Sequence, residues 1–224
     1  MRTLLQIVGL TVLAFAAGEK CDLKGIDECS KAVIPFADST TLGTSKEEID
    51  ADCKVAETSL ACLKKHSQSR CVKSGLAQGI FKLMIEGAET VNAWRCDSSD
   101  PKHEEFLKYV PCINTVGSKV QNCGKQMILE LDAIAKMPVN ERVARACCSY
   151  TKLMECSREV LEKACSTEHA DFIESALRGI SEATTETICV RFSPNSCKKF
   201  SPLKLGQRSE YMTIVPQMTE ILNV

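Results

Sequence analysis

Cysteine spacing constrains this chain more than any other feature. From Cys29, intervening stretches of 23, 8, 8 and 24 residues lead to Cys53, Cys62, Cys71 and Cys96. From Cys123, stretches of 23, 8, 8 and 23 residues lead to Cys147, Cys156, Cys165 and Cys189. Cys21 stands 7 residues ahead of the first set and Cys112 10 residues ahead of the second. Six cysteines therefore recur at an offset near 94 residues, and Cys148 and Cys197 belong to the second set alone. Four intervals agreeing within one residue point to an internal duplication. Other side chains keep the register: Lys31 falls on Lys125 and Glu47 on Glu141.

All 14 cysteines lie beyond an N-terminal stretch that reads as a secretory signal peptide. Arg2 supplies the positive start, residues 4–17 form a short apolar run, and small residues follow at the expected cleavage point near Ala17 or Gly18. Too short to span a bilayer, the run implies export to an oxidising compartment. An even number of thiols in that setting predicts seven disulfides. A metal site would need close pairs such as Cys-x-x-Cys, and the sequence has none, so a metal is not expected.

The segments between cysteines have helical periodicity. Ser45 followed by Glu48 forms a capping box opening a helix over residues 45–66. Val72, Leu76, Ile80, Leu83, Met84 and Val91 repeat every three to four positions in the next helix. Asp100 and Pro101 read as a helix start, and Pro111 as a kink or stop. Asn140 reads as the cap of a helix carrying Val143, Cys147, Tyr150 and Met154, with Phe172, Ile173, Ala176, Leu177 and Ile180 on its partner. Alternating β-branched runs are missing, so the chain reads as all-α. The expected organisation is a signal peptide over 1–18, helical repeats over 19–100 and 101–197, and a loosely ordered tail over 198–224. That tail contains two prolines and no bridge.

On such helices the thiols acquire directions. Residues nine apart are rotated by about 900°, half a turn off, so Cys53 and Cys62 face opposite neighbours. Facing residues of an antiparallel hairpin share a constant index sum. Cys29–Cys53 and Cys21–Cys62 satisfy this, as do Cys123–Cys147 and Cys112–Cys156, so these bridges are expected. Cys71 and Cys96 are left, about 37 Å apart on one straight helix. Either a glycine (Gly75, Gly79 or Gly87) breaks that helix, or these thiols pair elsewhere.

The stretches "FLKYVPCINTVGSKVQNC", "RACCSYTKLMECSREVLEKAC" and "FIESALRGISEATTETIC" resemble the immunodominant saliva proteins of ticks. The C-x8-C-x8-C-x23–24-C arrangement is more distantly similar to the insect haemolymph glycoprotein family. The likeness covers most of residues 21–197. It implies an extracellular, helical, disulfide-bonded protein with no established enzymatic role and no functional residues to carry over. The absence of an Asn-x-Ser/Thr sequon departs from the glycosylated haemolymph group.

Recognisable catalytic sets are missing. His66, His103 and His169 are isolated, serine lacks a G-x-S-x-G elbow, and no glycine-rich phosphate loop occurs. Glu47–Glu48 and Glu104–Glu105 sit in first helical turns, where the helix dipole accounts for them. With 28 basic against 29 acidic side chains and 5% aromatics, nothing favours nucleic acid as a partner. No later segment is apolar enough for a membrane span. Trp94 reads as packing, and Gly75 and Gly79 as glycines that ease helix contact. Ile80, Phe81, Met84 and Ile85 read as core or as the lining of a lipid cavity.

The expected function is non-enzymatic binding in extracellular fluid such as saliva or haemolymph, to a protein or to a small lipophilic ligand carried between helices. No cofactor, metal or catalytic residue is expected. A hydrolase built from distant residues is the weaker alternative. Protease inhibition would need an exposed rigid loop, and "DSSDP" is too short for one. The missing C-x3-C spacing disfavours the odorant-binding pattern.

Overall fold

A computed structural model of the chain describes residues 21–192 and 194–223, apart from the side chains of 182–184, 187 and 194. The expected signal peptide lies outside the described residues. Within them the chain is helical and has no strand. In order come α1 (Leu23–Ser30), α2 (Lys46–Ser67), α3 (Gly75–Cys96), α4 (His103–Thr115), α5 (Gly117–Ile134), α6 (Val139–Ala164) and α7 (Thr167–Thr184). A π-helical turn (Thr185–Cys189), the short α8 (Pro194–Cys197) and α9 (Val215–Leu222) follow.

The capping box forms as expected: Glu48 N–H donates to Ser45 Oγ at 3.2 Å, and Glu48 Oε2 accepts from Ser45 N–H at 3.0 Å. Other boundaries move. α4 begins at His103, because Asp100 Oδ1 instead accepts the Lys102 N–H at 2.8 Å in a turn. Pro111 lies inside α4 without ending it. α6 starts behind Pro138, so Asn140 is already helical. α3 is continuous through Gly75, Gly79 and Gly87.

All fourteen cysteines are paired, and each half uses the same order of pairing. The first half is closed by Cys21–Cys71, Cys29–Cys62 and Cys53–Cys96. The second is closed by Cys112–Cys165, Cys123–Cys156 and Cys147–Cys189, with Cys148–Cys197 added. As the half-turn rotation requires, α2 is fastened to α1 through Cys62 and to the end of α3 through Cys53. α6 is likewise fastened to α5 through Cys156 and to the turn after α7 through Cys147.

The expected ladder of Cys29–Cys53, Cys21–Cys62, Cys123–Cys147 and Cys112–Cys156 is therefore wrong by one cysteine throughout. An index sum measures distance from a turn but not the face of a helix. Of two thiols on opposite sides of α2, the one nearer the turn faces α3, and only Cys62 faces α1. The connection 31–45 also folds back instead of turning tightly. Leu42 N–H donates to Asn114 Oδ1 at 2.9 Å, and Asn114 Nδ2 donates to Leu42 O at 2.8 Å, which seats this loop on α4. Cys71 and Cys96 do pair elsewhere, Cys71 ahead of α3 and Cys96 at its end.

No described bridge joins the halves. They meet noncovalently where α3 packs on α7. Gly87 lies at the crossing: a Cβ there would sit 2.9 Å from the Cα of Ile180, closer than real side chains approach. Gly75 and Gly79 face open space, so the expectation that they ease packing is not met. The tail is also not loose. Ile214, Val215, Met218, Ile221 and Leu222 recur at helical spacing, and α9 buries them against α1, α3, α5 and α6. Gln217 Nε2 donates to Asp132 Oδ1 at 2.8 Å, and Lys73 N–H to Asn223 Oδ1 at 2.8 Å. Two prolines suggested disorder, but Pro216 stands in the first turn of α9, where proline suits a helix.

Candidate functional site

Two chambers open along the seam between the halves, a setting where ligand sites tend to occur. The first has a volume of about 140 Å³. Its wall is mostly aliphatic: Ile34 and Met84 come from the first half, Ile128, Ile173 and Leu177 from the second, and Met218 from α9. The amphipathic faces of α5, α6 and α7 produce this lining, since their apolar stripes must meet at the bundle centre.

Polar groups at its edge are mostly spoken for. Gln121 Nε2 donates to Ser39 O at 3.3 Å, and Lys125 Nζ donates to Gln121 Oε1 at 2.7 Å. Ser181 Oγ lies 2.8 Å from the Tyr150 hydroxyl, and Thr213 Oγ1 donates to Asp27 at 2.8 Å. Ser157 differs. It lies on the buried side of α6, 3% exposed, lines the chamber, and its hydroxyl has no hydrogen-bond partner. A buried hydroxyl without a partner costs about 1–3 kcal/mol.

The second chamber, about 290 Å³, shares Ile34, Pro35, Phe36, Ile173 and Ala176 with the first, so the two adjoin. Trp94, Asn92, Arg95 and Lys31 line its far side. The Arg95 side chain is only 11% exposed. Its Nη2 donates to Asn92 Oδ1 at 2.6 Å, while the nearest carboxylate oxygen, on Asp52, stands 3.6 Å from Nη1, beyond hydrogen-bonding distance. Burial pulls this guanidinium below its ordinary pKa, and the charge of Asp52 opposes the shift. Phe36, which lines both chambers, has φ +59°, the left-handed region that a bulky residue enters only at a cost.

The sequence-singled residues distribute unevenly. Met84 reaches the first chamber, while Phe81, Met84 and Ile85 border a minor recess beside Leu63 and Val215. Ile80 is plain core at 4% exposed. Trp94 is buried against Phe172, with ring centroids 6.0 Å apart, and also borders the second chamber. His103 Nδ1 lies 3.0 Å from Trp94 O, at the start of α4. His66 gathers with Cys29 and Cys62, and His169 with Cys112 and Cys165, but these sulfurs are committed to bridges and offer no thiolate to a metal. Ser157, Arg95 and Phe36 were not singled out by sequence. Ser157 and Arg95 each adjoin a cysteine, which is the only local signal they carry.

No protein-family model matches the chain, and neither a curated protein nor a solved structure does. Among the described residues, no helix is long and apolar enough to cross a membrane.

Proposed function

We propose that the protein is secreted and acts without catalysis, carrying a small lipophilic ligand between its helices. One observation carries this reading: an aliphatic chamber at an unbridged seam holds a buried hydroxyl, Ser157, that has no partner inside the protein. Good packing would fill such a space and pair such a group. The apolar body of a ligand would occupy that space. Secretion is supported by the charged-then-apolar N-terminus and by a full complement of disulfides. The proposed setting, saliva or haemolymph, rests on the likeness of the "CCSYTKLMEC" neighbourhood to arthropod proteins.

The test compares native and solvent-extracted protein, purified from its own extracellular fluid, by native mass spectrometry. A co-purifying apolar species that extraction removes is the expected result. No bound species, together with no enhancement of an apolar fluorescent probe by extracted protein, would reject the carrier role. Turnover of any substrate in a broad hydrolase panel would reject the non-catalytic one.

A further inference from the structure

The second chamber specifies the ligand more closely, on the premise that the carrier reading holds. Its deepest charge is a cation: Arg95 is 11% exposed, whereas Asp52 is 41% exposed and Asp38 lies at the open rim. Lys31, also in the wall, is already paired with Glu28 at 2.6 Å. Arg95 has a planar fork of donors: Nη1 is ion-paired with Asp52 at 3.6 Å, too far for a hydrogen bond, and Nη2 donates to the neutral amide of Asn92. Such a buried fork is best completed by a carboxylate, which it can hold through two parallel bonds. Beside it lies the first chamber, whose lining is mostly aliphatic. Its volume is close to the roughly 150 Å³ of an apolar cavity known to accept benzene, so it holds about six carbons.

We infer that the two chambers form one site for a medium-chain fatty acid, with its carboxylate on Arg95 and its tail passing Phe36 and Ile173 into the aliphatic chamber. The head and tail requirements come from different residues and agree on one amphiphile. Phe36 fits the junction: it lines both chambers from a left-handed backbone, and strained residues of this kind cluster at ligand clamps. The two volumes together fall in the range of small-molecule sites, about 300–1,000 Å³.

The experiment titrates decanoic acid and decanol into solvent-extracted, disulfide-intact protein by calorimetry, first with the unmodified chain and then with Arg95→Met. Decanoate should bind about tenfold or more tightly than decanol, the value of one charge-assisted contact. Arg95→Met, which keeps the length of the aliphatic stem, should remove that preference. Equal binding of acid and alcohol by the unmodified protein overturns the assignment of the head to Arg95 but leaves the carrier reading standing. Failure of both compounds and of an apolar fluorescent probe overturns the carrier reading itself. The head-group comparison needs no variant, so it decides the question even where Arg95→Met does not fold.

Discussion

The backbone N–H of Thr213 donates to the carboxylate of Asp27 at 2.8 Å, across 186 residues, and the Thr213 hydroxyl donates to the same oxygen at 2.8 Å. Met212 N–H adds a third donor at 2.9 Å. Asp27 is 5% exposed, so these bonds are protected from water. Asp27→Ala leaves buried donors unpaired and should cost about 2–3 kcal/mol. In a chain of this size that lowers the melting temperature by roughly 5–10 °C. Hydrogen exchange should show lost protection concentrated in α9; uniform loss would contradict a local latch.

Glycines on α3 should respond in opposite directions. Gly87→Ala forces a methyl group into the α7 backbone and should destabilise by about 1–3 kcal/mol. Gly79→Ala meets open space in mid-helix and should stabilise by about 0.5–1 kcal/mol. Urea denaturation of the two variants side by side checks both signs.

Ser157→Ala removes a hydroxyl that has no partner in the ligand-free protein. Stability should stay level or rise by about 1 kcal/mol, unlike an ordinary buried serine. A loss above that size would mean the hydroxyl is satisfied within the protein.

The α6–α7 contact should be acid-sensitive. Arg158 Nε donates to Glu174 at 2.9 Å, Arg158 Nη2 to Asp171 at 2.7 Å, and Arg178 Nε to Glu174 at 2.9 Å. Burial pushes the Glu174 carboxyl up, but the two guanidinium groups outweigh it and hold it below the usual carboxylate range. A depressed native value contributes stability above the unfolded value of about 4.3 and loses it as pH falls through the lower native one. Thermal scans should therefore show a decline below about pH 4.3 that Glu174→Gln makes shallower.

Peptide mapping without reduction should recover Cys21–Cys71, Cys29–Cys62, Cys53–Cys96, Cys112–Cys165 and Cys123–Cys156, with Cys147 and Cys148 together holding Cys189 and Cys197. A Cys29–Cys53 fragment would contradict this arrangement.

Local chemistry made much of the fold legible. The Ser45–Glu48 box, the opposed faces of Cys53 and Cys62, and the periodicity of α3 and α7 all follow from interactions within a few residues. Pairing required long-range knowledge: which side of α2 meets α1 depends on a loop seated on Asn114, 72 residues from Leu42. The docking of α9 was hidden for the same reason, since its spacing reads as a helix only once a groove exists to cover it. The chambers were least legible. Their lining comes from both halves and the tail, and neither Ser157 nor Arg95 carries a motif.

Because each set of bridges closes within its own half, oxidation need not search all fourteen thiols at once. Six cysteines can pair in about fifteen ways and eight in about a hundred, far fewer than the whole set allows. During synthesis the first half can finish its covalent wiring before the second emerges. Scrambled isomers should then carry errors on one side of residues 97–111 and seldom across it.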